Sequence, residues 1–206
     1  MFFSRRREEP PSQGWQELAA RLDLVPAPEQ RELLLDLLDL PPDFALEPIY
    51  KVAEAGAATV SVFAHESPVP TPAVRSTVST SCLLVSPEAL SPVSWRASRR
   101  VHDVLSSLQA SRSGGQIVAV PEDASFTEQV TVVAREAEHV AGLLTPVVRS
   151  VLARSLTREG LQAEVTVGEG RLLLSHSGAE VAFAAVPAML TDILSLFAAL
   201  RSLRQG

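Results

Sequence analysis

The sequence predicts an α+β fold: a mainly antiparallel sheet with helices packed on it, two short N-terminal helices and a long C-terminal helix. Three observations carry this. Apolar and polar residues alternate in short runs between Ile49 and His176. Glycine turns join neighbouring runs, which implies antiparallel pairing. Residues Pro187–Leu203 instead repeat apolar residues at helical spacing. The chain has 206 residues, 46% hydrophobic and 20% charged, which suffices for a core without staples.

Each element has its own signal. Residues 1–13 are charged and proline-bearing and read as a flexible tail. Residues 14–206 read as one domain, with two lobes meeting near 112–125 as the variant. Trp15, Leu18, Ala19 and Leu22 recur at helical spacing within Trp15–Leu24. Glu29–Leu40 repeats leucine in the same way until Pro41-Pro42 stops it. Ile49–Ala53 and Thr59–Ala64 flank Gly56 as a hairpin. Pro68, Pro70 and Pro72 stiffen the loop that follows. Val74–Val85 is the longest strand, with Val78, Cys82 and Leu84 on one face and Thr77, Ser79 and Ser81 on the other. Arg99–Ser111 reads as a helix, closed by Gly114-Gly115.

The C-terminal half reads more cleanly. Gln116–Val120 and Gln129–Ala134 are strands, and Glu136–Leu144 is a helix. Thr145 caps a new helix that begins at Pro146 and ends near Leu156. Leu161–Val167 and Arg171–His176 form a hairpin around a three-residue turn, Gly168-Glu169-Gly170. In the last helix Asp192, Ser195, Ala199 and Ser202 trace a stripe expected to face water.

Charge and cysteine content exclude several functions. The net charge is -6, whereas a protein that lives on phosphate contacts is usually basic. Cys82 is the only cysteine, so neither an intrachain disulfide nor a cysteine-based zinc site can form. The N-terminal arginines precede no apolar run of the kind a secretory signal needs, and the expected location is the cytoplasm. Val181–Leu200 is long enough to span a bilayer, but Asp192 near its middle would cost about 2.5–3.5 kcal/mol. No membrane span is expected.

Candidate chemistry is sparse. His65, His102, His139 and His176 are evenly spaced, but their flanks share nothing and no pair has local metal-ligand spacing. No metal and no cofactor are expected. Phosphate-loop glycines and a nucleophile elbow are absent from the sequence. Trp95, Arg96, Arg99 and Arg100 could grip a phosphate backbone and stack a base, and the bland reading of them is a solvated helix start with Trp95 in the core. For a hydrolase with a dispersed site, His139 with Glu136 would be the first residues to test. The last helix is apolar beyond one narrow stripe, so Ile193, Leu196, Phe197 and Leu200 are candidate interface residues for a second copy.

One stretch carries a family likeness. Phe126-Thr127-Glu128-Gln129-Val130-Thr131-Val132, Leu143-Leu144-Thr145-Pro146 and Gly170-Arg171-Leu172-Leu173-Leu174, followed by an apolar helix, span about residues 126–200. This pattern resembles a bacterial family of unknown function. The resemblance implies a Phe-containing strand, a Leu-Thr-Pro helix start and a hairpin before the last helix. It transfers no site residues. The function expected from the sequence is a non-catalytic protein–protein interaction or assembly module, with a homodimer favoured. The alternatives are a nucleic-acid-binding accessory protein using the arginines and a hydrolase.

Overall fold

In the computed structural model, residues 13–52, 58–67, 77–100, 114–158, 162–177 and 184–204 are described. Helix α1 (Gln13–Arg21) leads into the short strand β1 (Leu24–Pro26). A 3-10 turn at Pro28–Gln30 opens α2 (Arg31–Leu37). Strands β2 (Leu46–Val52), β3 (Thr59–Ser67), β4 (Thr77–Val85), β5 (Trp95–Arg99) and β6 (Gln116–Ile117) follow. The chain then runs through α3 (Ala124–Gln129), β7 (Val130–Ala134), α4 (Ala137–Leu143) and α5 (Pro146–Leu156). It closes with β8 (Gln162–Gly168), β9 (Arg171–Ser177) and α6 (Val186–Ser202).

Among the described residues, nine strands join one antiparallel sheet in the order β1-β2-β3-β4-β9-β8-β5-β7-β6. The architecture is therefore α+β. Strand β4 is the seam, because it pairs with β3 from the N-terminal half and with β9 from the C-terminal half. Side chains alternate across it as a pleat requires. Cys82 and Leu84 enter the larger core with Val60, Val62, Leu172 and Leu174. Leu83 enters a smaller one on the other face with Ile49 and Phe63, under Leu34 and Leu35 of α2. Ser79 and Ser81 share the face of Leu83 and pair across the seam with Ser177 and Ser175, oxygen to oxygen at 2.8 Å each.

Helices cover the larger core. Trp15 of α1 stacks on Tyr50 of β2 with ring centroids 5.9 Å apart. Helix α6 lies over β4 and β9, and α5 lies over β8, β5 and β7 beside it. Thr145 caps α5 by accepting from the Val148 N–H, and Pro146 takes the first helical position, where a missing N–H costs nothing. Arg149 of α5 ties the helix to the loop before α3, reaching Glu122 at 2.7 Å and Asp123 at 2.9 Å.

The structure corrects several expectations. Arg99 does not start a helix: Trp95–Arg99 is a strand held between β7 and β8, and residues 101–111 lie outside the described set. Phe126 sits in α3, not in a strand, because Asp123 caps that helix by accepting from the Phe126 N–H. Leu24 leaves the first helix and opens β1, and Gln13, expected in the tail, begins α1. The proline-rich loop at 68–72 lies outside the described residues.

The β8–β9 turn also differs from expectation. Gly168 pairs with Arg171, so the turn has two residues, Glu169 and Gly170. Both carry positive φ, 52° and 75°, the pattern of a type I′ hairpin. A Cβ added at Gly170 would stand 2.5 Å from the Pro87 Cα. Gly170→Ala therefore combines a disfavoured backbone angle with a backbone clash. It should lower stability by at least about 1 kcal/mol in urea denaturation, while Gly142→Ala, in open space on α4, should not.

Candidate functional site

A buried polar group lies between α5, α6 and the sheet. Asp192 of α6 is 3% exposed, not water-facing as the stripe suggested. Two arginines hold its carboxylate, Arg154 in the last turn of α5 and Arg158 two residues beyond its end. Arg154 donates to Oδ1 through Nε at 2.9 Å and reaches the same oxygen through Nη2 at 2.7 Å. Arg158 donates to Oδ2 at 3.0 Å. The arginines stay half-open to water, so the acid end bears the desolvation and the cations stay partly screened. Through Arg154 this clasp joins two helices across 38 residues of chain.

His176 and Ser155 belong to the same region. His176 follows Leu172 and Leu174 on the core face of β9 and is buried. Neither ring nitrogen has a hydrogen-bond partner among the described residues. Burial, and secondarily the charge of Arg158, lower its pKa to about 4, against the pull of Asp192. Ser155 of α5 is buried as well, and it lines a small cavity with Asp192 and Leu174.

Serine, histidine and aspartate in one region invite comparison with a catalytic triad. A triad needs the acid bonded to the imidazole and the imidazole bonded to the hydroxyl. Here three arginine contacts occupy the acid and the imidazole bonds to neither partner. The wiring is that of a structural clasp.

The other candidates scatter. Strand geometry splits the arginine group: Trp95 and Arg99 point to one face of β5 and Arg96 to the other, and Arg100 follows the strand. Trp95 is buried, so it offers no stacking platform. Arg96 pairs with Glu164 at 3.2 Å, and Arg100 donates to the Thr127 carbonyl at 2.6 Å. Burial raises the pKa of Glu164 despite that pairing. Arg99 is exposed. His139 and Glu136 are both exposed at the start of α4. His65 leans on Phe44 and Phe63 with Nε2 3.3 Å from the Ser81 hydroxyl, and His102 lies outside the described residues. Ile193, Leu196 and Leu200 are buried within the chain, and Phe197 only partly so.

Sequence reasoning missed Arg154, Arg158 and Ser155, and placed Asp192 on the wrong side of its helix. A usable signal existed. A lone acid in an apolar helix needs a cation if it is buried, and Arg154 and Arg158, four residues apart, offer two on one side. Among the described residues, no three of His, Cys, Asp and Glu gather as metal ligands would. No described helix is long and apolar enough to cross a membrane. No family model, curated protein or solved structure matches the chain.

His176 makes the region acid-sensitive. Its folded pKa, about 4, lies below the ordinary 6.5, so the unfolded chain binds the proton more readily. The resulting stability, on the order of 3 kcal/mol, is full above pH 6.5 and drains as pH falls towards 4. Denaturation midpoints measured across that window should fall for the parent. His176→Phe, which has no proton to take up, should flatten the slope there.

Proposed function

We propose that the chain is a non-catalytic protein–protein interaction or assembly module, a single cytoplasmic domain over residues 14–206 that pairs with a second copy of itself. The observation that carries this reading is an apolar row on the flank of α6. Leu190, Leu194 and Phe197 stand at i, i+4 and i+7, so they share one side of the helix. Leu194 is 41% exposed, and its two neighbours in the row are only partly buried.

Ile193, Leu196 and Leu200 are buried within the chain, so the proposed pairing uses this neighbouring flank together with Phe197. A self-complementary apolar row suits a two-fold pair, in which the same patch meets itself. The wiring of Asp192 supports the non-catalytic half of the reading, since its carboxylate spends its contacts on holding helices together.

Sedimentation velocity over a concentration series tests the proposal. The parent should associate as concentration rises. Leu194→Glu should weaken association at least tenfold, about 1.4 kcal/mol, with an unchanged circular dichroism spectrum. A parent that stays monomeric throughout would overturn the self-association.

A further inference from the structure

His176 is a buried base that the clasp does not use. It stands on the core face of β9, with Thr80 of β4 opposite on one side and Ala163 of β8 on the other. His176 is 2% exposed and Thr80 is fully buried. Neither imidazole nitrogen has a hydrogen-bond partner among the described residues, nor does the Thr80 hydroxyl. Such a ring rests in its neutral form, because a buried cation without a partner costs far more than a buried neutral dipole.

The charged groups that face the ring are few. Helix α6 lies over β9 and supplies Asp192, and the chain just past α5 supplies Arg158; both charges act on the imidazole. Arg154 joins them through the same carboxylate. Strand β8 presents Ala163 on this face and turns Glu164 to the other. On β4 the Cys82 thiol stays protonated, since burial drives its pKa up.

The clasp is uneven. Arg154 makes two contacts to Oδ1 from within α5, whereas Arg158 makes one, to Oδ2, from beyond the helix end. A proton on His176 would set three cations around one carboxylate. Like charges so placed repel, and the arm held by a single contact yields first. The imidazolium needs an acceptor, and the oxygen that Arg158 leaves is one.

We propose that His176 is an acid-operated latch on the clasp: once protonated, it takes Asp192 Oδ2 from Arg158, while Arg154 keeps Oδ1. The proton comes from solvent and stays on the ring, and Asp192 remains a carboxylate. Arg158 has water to turn to, as its side chain is already 30% exposed. The closed arrangement resists the proton down to about pH 4. An imidazolium paired with a carboxylate holds its proton at or above the ordinary 6.5, so the exchange falls between those limits.

Urea denaturation at two pH values tests the latch. In the parent, Arg158→Gln should lower the midpoint at about pH 7.5 and leave it unchanged at about pH 4.5, where acid has already released that arm. In a His176→Gln background, which has no proton to take up, the loss should persist at both. An equal loss at both pH values in the parent would overturn the proposal. So would a loss that also vanishes in the His176→Gln background, which would make Asp192 the titrating group. If His176→Gln does not fold, NMR of the imidazole decides. Arg158→Gln should raise the His176 titration midpoint by about one pH unit, and an unmoved midpoint would refute the latch.

Discussion

The carboxylate of Asp192, buried and held by two arginines, is the constraint around which the helical layer is arranged. A buried acid without cations would be intolerable, so α6 can settle on the sheet only where Arg154 and Arg158 reach it. That fixes α6 against α5. Helix α6 in turn covers β4 and β9, and α5 covers β8, β5 and β7. Apolar burial supplies the driving force for this layer, as Leu152, Leu156, Met189 and Ile193 are all nearly free of solvent contact. Burial alone is non-directional and would tolerate a sliding helix. The ion pairs set the register.

The seam strand carries buried polar residues on both faces. Thr80 and Cys82 lie on the core face of β4, and Ser79 and Ser81 on the other. The serines are buried yet satisfied, each by a serine directly opposite on β9. These pairs join the N-terminal and C-terminal halves of the sheet at the point where the chain has made its longest excursion. Burial drives the Cys82 thiol pKa well up, so it behaves there as a small apolar side chain.

Much of this was legible locally. Alternation marked β3, β4, β8 and β9, and the Thr145-Pro146 cap marked the start of α5, because short-range chemistry decides those features. What failed depended on distant partners. Residues Trp95–Arg99 are only five long, with a small Ala97 as a central apolar residue, and their strand identity comes from β7 and β8, more than 30 residues later in the chain. The stripe through Asp192 shows that one side of α6 is polar but not that a neighbouring element fills it. The cap at Asp123 is a local signal, whereas the strand containing Phe126 is what the family resemblance implies. His176 beneath the helices and Ser155 on α5 carry no sequence mark, since their place follows from burial.

The asymmetry of a buried ion pair gives the most direct test of the clasp. Removing both cations strands a carboxylate in the core, whereas replacing the acid lets two half-open arginines turn to water. Arg154→Gln combined with Arg158→Gln should therefore lower stability by about 3–5 kcal/mol in chemical denaturation, and adding Asp192→Leu to that pair should restore most of the loss. A double arginine variant within about 0.5 kcal/mol of the parent would contradict the account and leave apolar packing as the sole determinant of where α6 sits.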